Sequence, residues 1–371
     1  MATFSELGVS KKLIQGAEEF GITNPTEIQE RSIPFLLNKR EDFVGQAQTG
    51  TGKTAAFGLP LLQNIDPNLP KVQALIIAPT RELGQQIAKH LFKYTKYLTN
   101  KVFVESVYGG EHIARQMERL ERPTHIVVAT PGRLLDLVQR KAVDVSAVKT
   151  IVLDEADEML SMGFQKDVEK ILSLPKEAAH IWMFSATMPK EVKSLISNYL
   201  DAQHEFVQVN SQQRVNPLIE HQFYITTIDD KVRLLIEFIR SQGAARGVVF
   251  CKTKAGAQKL AKQIASRNYT SDAIHGDLTQ KERDKVMRAF KNKKLQVLVA
   301  TDVAARGIDV DNLSYVIHYQ LPEQLENYTH RAGRTGRAGK RGISIAFILN
   351  SEMDSIRQLE KKLKIEFSKV R

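Results

Sequence analysis

Short runs of apolar, mostly β-branched residues alternate along the chain with longer stretches that have a helical spacing of apolar positions. Such nearly continuous apolar runs are typical of strands buried on both faces of a parallel sheet. Helices are predicted at 81–98 and 133–140, and the alternation of elements predicts a doubly wound α/β domain. The strands predicted in the first part of the chain are 42–45, 74–78, 103–107, 126–129, 151–153, 181–184 and 206–209.

The same alternation begins again after a polar segment. Residues 207–217 have no helical period and contain a proline, so we interpret them as a linker. The chain of 371 residues is longer than a single core usually supports, and we expect two α/β domains, 1–206 and 218–371. The second domain has predicted strands at 247–250, 272–275, 297–300, 315–318 and 343–348, and predicted helices at 254–266 and 351–364.

Basic residues are concentrated in the second part. Residues 1–210 hold 24 Lys and Arg against 25 Asp and Glu, whereas residues 211–371 hold 29 against 17. This excess is typical of a polyanion-binding surface and equally of a solvated basic face, and charge alone does not distinguish them.

Composition excludes several protein classes. A single cysteine, Cys251, excludes a disulfide framework and a cysteine-based zinc site, and its apolar neighbours predict a buried thiol. No run approaches the roughly 18 apolar residues of a membrane span, and the first residues lack the apolar region of a signal peptide. We therefore expect a cytoplasmic protein.

A glycine-rich segment carries the strongest chemical indication. Residues 47–54 read Ala-Gln-Thr-Gly-Thr-Gly-Lys-Thr between a predicted strand and a helical stretch. This is the context of a phosphate-binding P-loop, in which backbone N–H groups and the helix N-terminus surround an anion. Lys53 is then expected to reach the β- and γ-phosphates, and the Thr54 hydroxyl to ligate Mg²⁺.

Two adjacent carboxylates end the predicted strand 151–153. In a P-loop protein an acid at this point holds Mg²⁺, a role that fits Asp154. Glu155 is then suited to orient and deprotonate an attacking water. By themselves these acids are equally typical of a surface helix N-terminus, and the P-loop favours the catalytic interpretation. Small, polar or charged residues follow most strands of the first part, so one edge of its sheet is expected to bind ligands.

The second part contains a cluster of arginines. Residues 330–337 read His-Arg-Ala-Gly-Arg-Thr-Gly-Arg. Arginines stabilise charge on a transferred phosphoryl group, although a basic surface turn has the same composition. If these arginines act on a nucleotide at the P-loop, the two domains must close for catalysis.

Taken in order, these motifs resemble those of DEAD-box RNA helicases of superfamily 2, and residues 154–157 spell Asp-Glu-Ala-Asp. The resemblance covers essentially the whole chain. It implies two tandem RecA-like doubly wound parallel-sheet domains joined by a short linker, with ATP and Mg²⁺ as cofactors. It also implies RNA-dependent ATP hydrolysis, with single-stranded and short duplex RNA as partners of a monomeric core.

The resemblance also implies roles for individual residues. Residues 21–29 are similar to the family's adenine-reading Q motif, with Ile22 in place of the usual stacking aromatic. The residues that would bind the nucleotide are Phe4, Ile22, Gln29, Gln48, Thr49, Gly50, Thr51, Gly52, Lys53, Thr54 and, at the ribose, Asp309. Arg334 and Arg337 match the family's arginine fingers. Asp157, Ser185, Thr187, His330 and Arg331 would couple the nucleotide state to RNA binding and to the other domain.

The RNA contacts implied by the resemblance lie in both domains. Those of the first domain are Pro79, Thr80, Arg81, Gly109, Gly110, Thr130, Pro131 and Arg133. Those of the second domain are Lys252, Thr253, His275, Gly276, Thr301 and Asp302. Contacts of this kind grip sugar and phosphate, so low sequence preference is expected.

The implied mechanism is an ATP-gated clamp that closes on RNA, bends one strand and reopens after hydrolysis. Three alternatives stand beside it: a DNA-translocating helicase of the same superfamily, an RNA clamp without hydrolysis, and an unrelated P-loop ATPase. The Q motif and the sequence of residues 154–157 favour RNA over DNA. Hydrolysis is favoured by the intact Lys53, Glu155, Arg334 and Arg337. The second α/β domain and its arginine cluster disfavour an unrelated ATPase. The sequence does not name the RNA, and it is compatible with a minimal helicase or with the core of a longer one.

Overall fold

The computed structural model describes residues 2–39, 41–48, 50–175, 179–209, 216–305, 313–322, 325–336 and 340–370. Three predicted site residues, Thr49, Asp309 and Arg337, lie outside the described residues. So do positions 210–215 of the predicted linker.

Helices and strands alternate along the chain, as the apolar pattern predicts. The strands are β1 (Phe43–Gln46), β2 (Ala74–Ile77), β3 (Val104–Val107), β4 (Ile126–Ala129), β5 (Thr150–Asp154), β6 (His180–Ser185), β7 (Glu205–Gln208), β8 (Ile219–Ile225), β9 (Gly247–Cys251), β10 (Ser271–Ile274), β11 (Val297–Thr301), β12 (Tyr315–His318), β13 (Gly342–Ile348) and β14 (Phe367–Lys369). The α-helices are α1 (Lys11–Glu18), α2 (Glu27–Asn38), α3 (Lys53–Asn64), α4 (Arg81–Tyr94), α5 (Ile113–Leu120), α6 (Pro131–Gln139), α7 (Ala156–Ser161), α8 (Gln165–Leu172), α9 (Lys190–Tyr199), α10 (Lys231–Ser241), α11 (Lys254–Ala265), α12 (Gln280–Lys291), α13 (Asp302–Ala305), α14 (Leu325–Ala332) and α15 (Met353–Leu363).

The chain divides into two compact units, Met1–Asn210 and Ser211–Arg371. Each unit has one seven-stranded sheet, ordered β3-β4-β2-β5-β6-β1-β7 in the first and β10-β11-β9-β12-β13-β8-β14 in the second. Every paired strand runs parallel to its neighbour. Counted from the first strand of each unit, the two orders are the same, so the fold is duplicated although the sequence shows no short-period repeat. The predicted tandem α/β architecture is confirmed.

Both faces of the first sheet are buried, which explains its continuous apolar strands. In β2 the side chain of Ile76 joins one hydrophobic cluster, while Leu75 and Ile77 join the cluster on the opposite face. Successive residues of a strand point to opposite faces, so a strand between two helical layers needs apolar residues at every position.

Two strands of the second sheet were not predicted from the sequence. β8 alternates buried and exposed residues at its start, with Glu220 exposed between Ile219 and His221, and therefore lacks the continuous apolar run. β14 is a three-residue strand at the edge. In the first unit, Val207 and Gln208 belong to β7, although the predicted linker began there, because Val207 pairs with Gly45 and is buried.

Two composition-based expectations can be compared with the structure. Cys251 is buried at the end of β9, as predicted, and burial raises the pKa of its thiol to about 12. Within the described ranges, no helix combines the length and apolar character needed to cross a bilayer.

Gly247 allows the first residue of β9 to pass directly beside the Tyr315 ring, which a Cβ atom would overlap. We expect Gly247→Ala to lower the unfolding free energy of the second unit by about 2 kcal/mol, because the buried ring must move. Gly84→Ala in α4 is the matched control, since its Cβ would lie 3.7 Å from Val128 Cγ1 and alanine favours a helix. Hydrogen–deuterium exchange in β9 and α4 reads each unit separately. Unchanged protection in the second unit of Gly247→Ala would contradict the expectation.

Candidate functional site

The predicted motifs of the first unit meet at one edge of its sheet. They follow the carboxyl ends of β1, β2, β3, β4, β5 and β6. Because all pairs are parallel, these ends lie along the same edge, where open α/β sheets bind ligands.

The segment between β1 and α3 turns sharply before the helix begins. Gly50 and Gly52 have φ values of +82° and +89°, which favour glycine, and the Thr51 hydroxyl donates to the Gln48 carbonyl over 2.7 Å. Lys53 is the first residue of α3, is only 6% exposed, and donates from Nζ to the Ala47 carbonyl over 3.0 Å. Thr54 follows in the first helical turn. The result is a compact loop in front of a helix N-terminus, as a P-loop requires.

Gln29 connects α2 to this loop. Its Nε2 donates to the Gly52 carbonyl over 2.9 Å, and its Oε1 accepts from the Thr26 N–H over 2.9 Å. The Thr26 hydroxyl also donates to the Thr51 carbonyl over 2.8 Å. From its local pattern alone Gln29 would pass for an exposed helix residue, but it is 2% exposed because the loop covers it. Phe4 is buried in the apolar cluster of this face, and Ile22 packs against it.

Asp154 ends β5 and is 2% exposed. Burial raises the pKa of this carboxyl to about 7, with Lys53 opposing the shift and Glu155 adding to it. One carboxylate oxygen accepts from the Glu155 N–H over 3.0 Å. Glu155 has φ 52° and ψ 52°, a left-handed conformation that is uncommon for a residue other than glycine. Such backbone strain is concentrated at functional sites.

Asp157, Ser185 and Thr187 are brought together by side-chain hydrogen bonds. Asp157 Oδ2 accepts from the Thr187 N–H over 2.8 Å and from its hydroxyl over 2.7 Å. The Asp157 N–H donates to Ser185 Oγ over 3.2 Å, and the Ser185 hydroxyl donates to the Thr187 carbonyl over 2.7 Å. The start of α7 and the end of β6 are therefore held as one piece.

The predicted RNA-contact residues of the first unit follow β2, β3 and β4, which are neighbours in the sheet. Thr80 caps α4, and the Arg81 guanidinium lies 4.5 Å from the centre of the Tyr108 ring. Gly109 and Gly110 are exposed, Gly110 has φ +85°, and Arg133 Nη1 donates to the Glu111 carbonyl over 3.1 Å. Thr130 and Pro131 form the start of α6, and Pro79 directly precedes Thr80.

In the second unit the predicted residues again follow strand ends. Lys252 and Thr253 follow β9, and His275 and Gly276 follow β10. Thr301 is the last residue of β11, and Asp302 is the first of α13. Thr253 caps α11, and His275 Nε2 lies 3.0 Å from Gln258 Oε1.

Arg331 and Asp302 form a bidentate ion pair in the second unit. Arg331 Nε and Nη2 donate to the two carboxylate oxygens over 2.5 and 2.6 Å. Arg331 is 2% exposed and also donates to the Gln320 carbonyl over 2.9 Å. The ion pair thus joins a residue predicted to couple the domains to one predicted to contact RNA. His330 lies beside Arg331 in α14, and Arg334 lies two residues beyond that helix; both are half-buried.

Sequence reasoning missed residues that hold these segments in place, above all Tyr108 and Gln116. Gln116 is fully buried on α5 and bonds to the Tyr108 backbone. The only sequence signal was an aromatic residue immediately before the Gly109-Gly110 pair. No local pattern distinguishes a buried glutamine from an exposed one on a short polar helix.

The chain matches two protein-family models. Residues 26–195 match the DEAD/DEAH box helicase model, and residues 230–339 match the helicase conserved C-terminal domain. The ATP-dependent RNA helicase CshA of Limosilactobacillus reuteri is 43% identical over 363 residues, which cover 98% of this chain and 72% of that protein.

Solved structures agree with this assignment. S. cerevisiae Dbp5 bound to RNA and ADP BeF3 has a TM-score of 0.91 at 29% identity, and the match covers 100% of this chain and 96% of that one. Mss116p bound to ssRNA and AMP-PNP has a TM-score of 0.89 at 30% identity, covering 100% and 80%. These similarities confirm the tandem RecA-like fold. The chain belongs to the DEAD-box family of ATP-dependent RNA helicases, which are RNA-stimulated ATPases.

Proposed function

We propose that this helicase is an ATP-driven clamp. Its two units close on ATP, Mg²⁺ and single-stranded RNA, locally separate short duplexes or remodel RNA–protein complexes, and reopen after hydrolysis. The observation that carries the proposal is the clustering of Lys53, Asp154 and Glu155 with the Asp157–Thr187 hydrogen bonds at one sheet edge. Dbp5 and Mss116p bound to RNA and nucleotide support the same interpretation.

Nucleotide binding is assigned to the loop before α3. Its backbone N–H groups and Lys53 receive the phosphates, and α2 supports the loop through Gln29. One Gln29 amide hydrogen already bonds the Gly52 carbonyl, and one lone pair of its oxygen accepts from the Thr26 N–H. Adenine would therefore be bound by the second amide hydrogen and the second lone pair. Phe4 and Ile22 provide the apolar side of this site, and Asp309 is assigned to the ribose.

Mg²⁺ fits the donors Thr54 and Asp154. Burial raises the pKa of Asp154 despite the neighbouring Lys53, so a second cation beside its carboxylate would offset the desolvation of the charge. Among the described residues no three acidic, histidine or cysteine side chains form a metal-binding group. This fits Mg²⁺, which takes one or two protein ligands and completes its shell with phosphate and water oxygens. When bound, it neutralises the phosphate charge.

Glu155 is assigned as the base that orients and deprotonates the attacking water. Its left-handed backbone lies between the end of β5 and the start of α7. On one side the Glu155 N–H donates to Asp154, and on the other the Asp157 N–H donates to Ser185. Arg334 and Arg337, supplied by the second unit on closure, stabilise the charge of the transferred phosphoryl group.

Coupling between nucleotide and RNA is assigned to Asp157, Ser185 and Thr187, together with His330 and Arg331. Asp157 lies in α7, which begins beside the proposed base, and it is hydrogen-bonded to Ser185 and Thr187 at the end of β6. A movement of α7 would therefore also move the end of β6. RNA is held by the residues after β2, β3 and β4 and by those after β9, β10 and β11. We propose that the segment after β7, residues 209–217, connects the units and that the core acts as a monomer.

The first test compares steady-state ATP hydrolysis without nucleic acid, with single-stranded RNA, and with DNA of the same sequence. Strong stimulation by RNA alone is expected, since a clamp that reads the 2′-hydroxyl discriminates against DNA. Equal stimulation by DNA would favour a DNA helicase. Negligible hydrolysis under all three conditions would favour an RNA clamp without turnover.

Glu155→Gln is expected to lower the ATPase kcat by about 10²- to 10⁴-fold while ATP and RNA still bind. Glu191→Gln is the matched control, because Glu191 is an exposed acid in the first turn of α9 and serves only the helix N-terminus. Single-turnover hydrolysis and equilibrium binding measure the two effects separately. A Glu155→Gln enzyme with wild-type turnover would exclude Glu155 as the base.

Gln29→Ala is expected to raise the KM for ATP about tenfold and to reduce selectivity for ATP over GTP, because both the loop contact and the base contact are lost. Gln63→Ala is the control: the exposed Gln63 bonds to the Ser10 and Gly8 backbone. Kinetics with both nucleotides give the readout. If the parent enzyme hydrolyses GTP as well as ATP, the assignment of Gln29 to adenine fails.

A further inference from the structure

Three predicted RNA-contact elements meet at the turn that follows β3, which we call the glycine turn (residues 108–111). Gly109 and Gly110 are exposed within it, while Tyr108 at its start is 8% exposed. Apart from Gly109 and its two chain neighbours, no heavy atom of the described residues lies within 4 Å of the position that a Cβ at Gly109 would occupy, so the turn presents open backbone. Its conformation must therefore be set by contacts at its two ends.

Gln116 of α5 fixes the first end. Its Oε1 accepts from the Tyr108 N–H over 3.1 Å, and its Nε2 donates to the Tyr108 carbonyl over 2.9 Å. β3 is the edge strand of the sheet, and β4 is its one strand partner among the residues that the structure describes. The carboxamide thus gives Tyr108 both backbone hydrogen bonds, as a neighbouring strand would. Gln116 is 0% exposed, so it cannot itself touch RNA.

Arg119, one turn further along α5, fixes the second end. Its Nη1 and Nη2 donate to the two carboxylate oxygens of Glu111 over 2.8 and 3.0 Å, and its Nε donates to Glu105 over 2.7 Å. The hydrogen bond from Arg119 holds the pKa of the Glu111 carboxyl below its usual value. One short helix therefore clamps the glycine turn at its start and at its end.

The two arginines predicted to bind RNA in the first unit, Arg81 and Arg133, contact residues of this turn. The Arg81 guanidinium lies over the Tyr108 ring, whose hydroxyl accepts from Gln85 Nε2 over 2.8 Å. Arg133 donates to the Glu111 carbonyl. A displaced Tyr108 would therefore move the support of Arg81 together with the glycines.

We propose that Gln116 is a positioning residue for RNA binding, which holds the glycine turn and, through Tyr108, Arg81 in the arrangement that receives the sugar–phosphate backbone. The inference rests on the proposed function, because it assumes that the glycine turn and its arginines contact RNA. Gln116 acts only through these groups.

The test uses Gln116→Met in the full chain, since methionine is close in shape to glutamine and removes both hydrogen bonds. The Kd for labelled single-stranded RNA in the presence of AMP-PNP is expected to rise about tenfold. The KM for ATP and the rate at saturating RNA should change by less than about twofold, because the loop assigned to the nucleotide follows β1, which four strands separate from β3 in the sheet.

Gln73→Met is the matched control. Gln73 is also buried and clamps backbone, accepting from the Asp66 N–H over 2.9 Å and donating to the Asp66 and Leu69 carbonyls. It directly precedes β2, so it lies at the amino ends of the strands, opposite the carboxyl ends where the glycine turn lies. Comparable losses of thermal stability in both variants, with weaker RNA binding only in Gln116→Met, support positioning. Equal RNA affinity in the two variants would overturn it.

Gln116→Glu adds a test by pH. A protonated carboxyl offers one acceptor and one donor and can replace the amide, whereas a carboxylate cannot donate to the Tyr108 carbonyl. Burial raises the pKa of such a group, so the protonated form gains at low pH. At about pH 5.5 the RNA Kd of Gln116→Glu should be close to that of the wild type. At about pH 8.5 it should be as high as the RNA Kd of Gln116→Met. A pH-independent ratio would contradict the clamp.

Two further variants separate the possible failures. Arg133→Ala removes a proposed direct contact with RNA. If this variant binds RNA as tightly as the wild type, the assignment of RNA contacts to this part of the first unit is wrong, and the proposed function fails in that respect. If Arg133→Ala weakens binding but Gln116→Met does not, only the positioning inference fails. Should Gln116→Met not fold, Arg119→Met tests the same clamp from its part-exposed end. A several-fold rise in RNA Kd is then expected, and wild-type affinity would overturn the inference.

Discussion

Both sheets are parallel and covered on both faces, and this constraint decides where chemistry is possible. A strand between two apolar layers has no position for a charged side chain that lacks a partner. In β2, β4 and β5 the one charged residue, Asp154, therefore lies at a strand end, and the parallel arrangement places the carboxyl ends at one edge. Asp154 shows how strongly burial disfavours a charge even at the end of a strand. It is the last residue of β5, and burial raises the pKa of its carboxyl to about 7.

Loops at such an edge have backbone groups that no neighbouring strand can satisfy. In the first unit, side chains on adjacent helices and strand ends supply the missing bonds. Gln29 holds the loop before α3, Gln116 holds the turn after β3, and Asp157 holds the segment after β6. A buried polar group left unpaired costs about 1–3 kcal/mol, so each of these bonds strongly favours a single loop conformation. The groups proposed to bind ligands in these segments are thereby held by bonds within the protein itself.

The second unit uses an ion pair for the same purpose. Arg331 is buried, so its guanidinium is stable there only with Asp302 and the Gln320 carbonyl as partners. Beyond it, His318 Nε2 lies 3.0 Å from Ser344 Oγ, which lies 3.1 Å from the Tyr328 hydroxyl. Burial holds the pKa of His318 well below its usual value, so the histidine is neutral beside the guanidinium. Through Tyr328 and Arg331, the helix that carries His330 is thus bonded to β13, to the segment after β12 and to the start of α13.

The sequence by itself determined the tandem α/β architecture, most strands, and the motifs that identify a DEAD-box helicase. It could do so because strand burial requires continuous apolar runs and because phosphate binding requires glycines and a lysine at fixed spacing. It did not reveal β8, whose alternating pattern breaks the apolar run, nor the duplicated strand order. Local pattern also did not distinguish Gln29 and Gln116 from surface glutamines, and only the family resemblance singled out Gln29. Burial of a polar side chain depends on which distant backbone groups the fold brings within hydrogen-bond distance, and only the tertiary structure decides that.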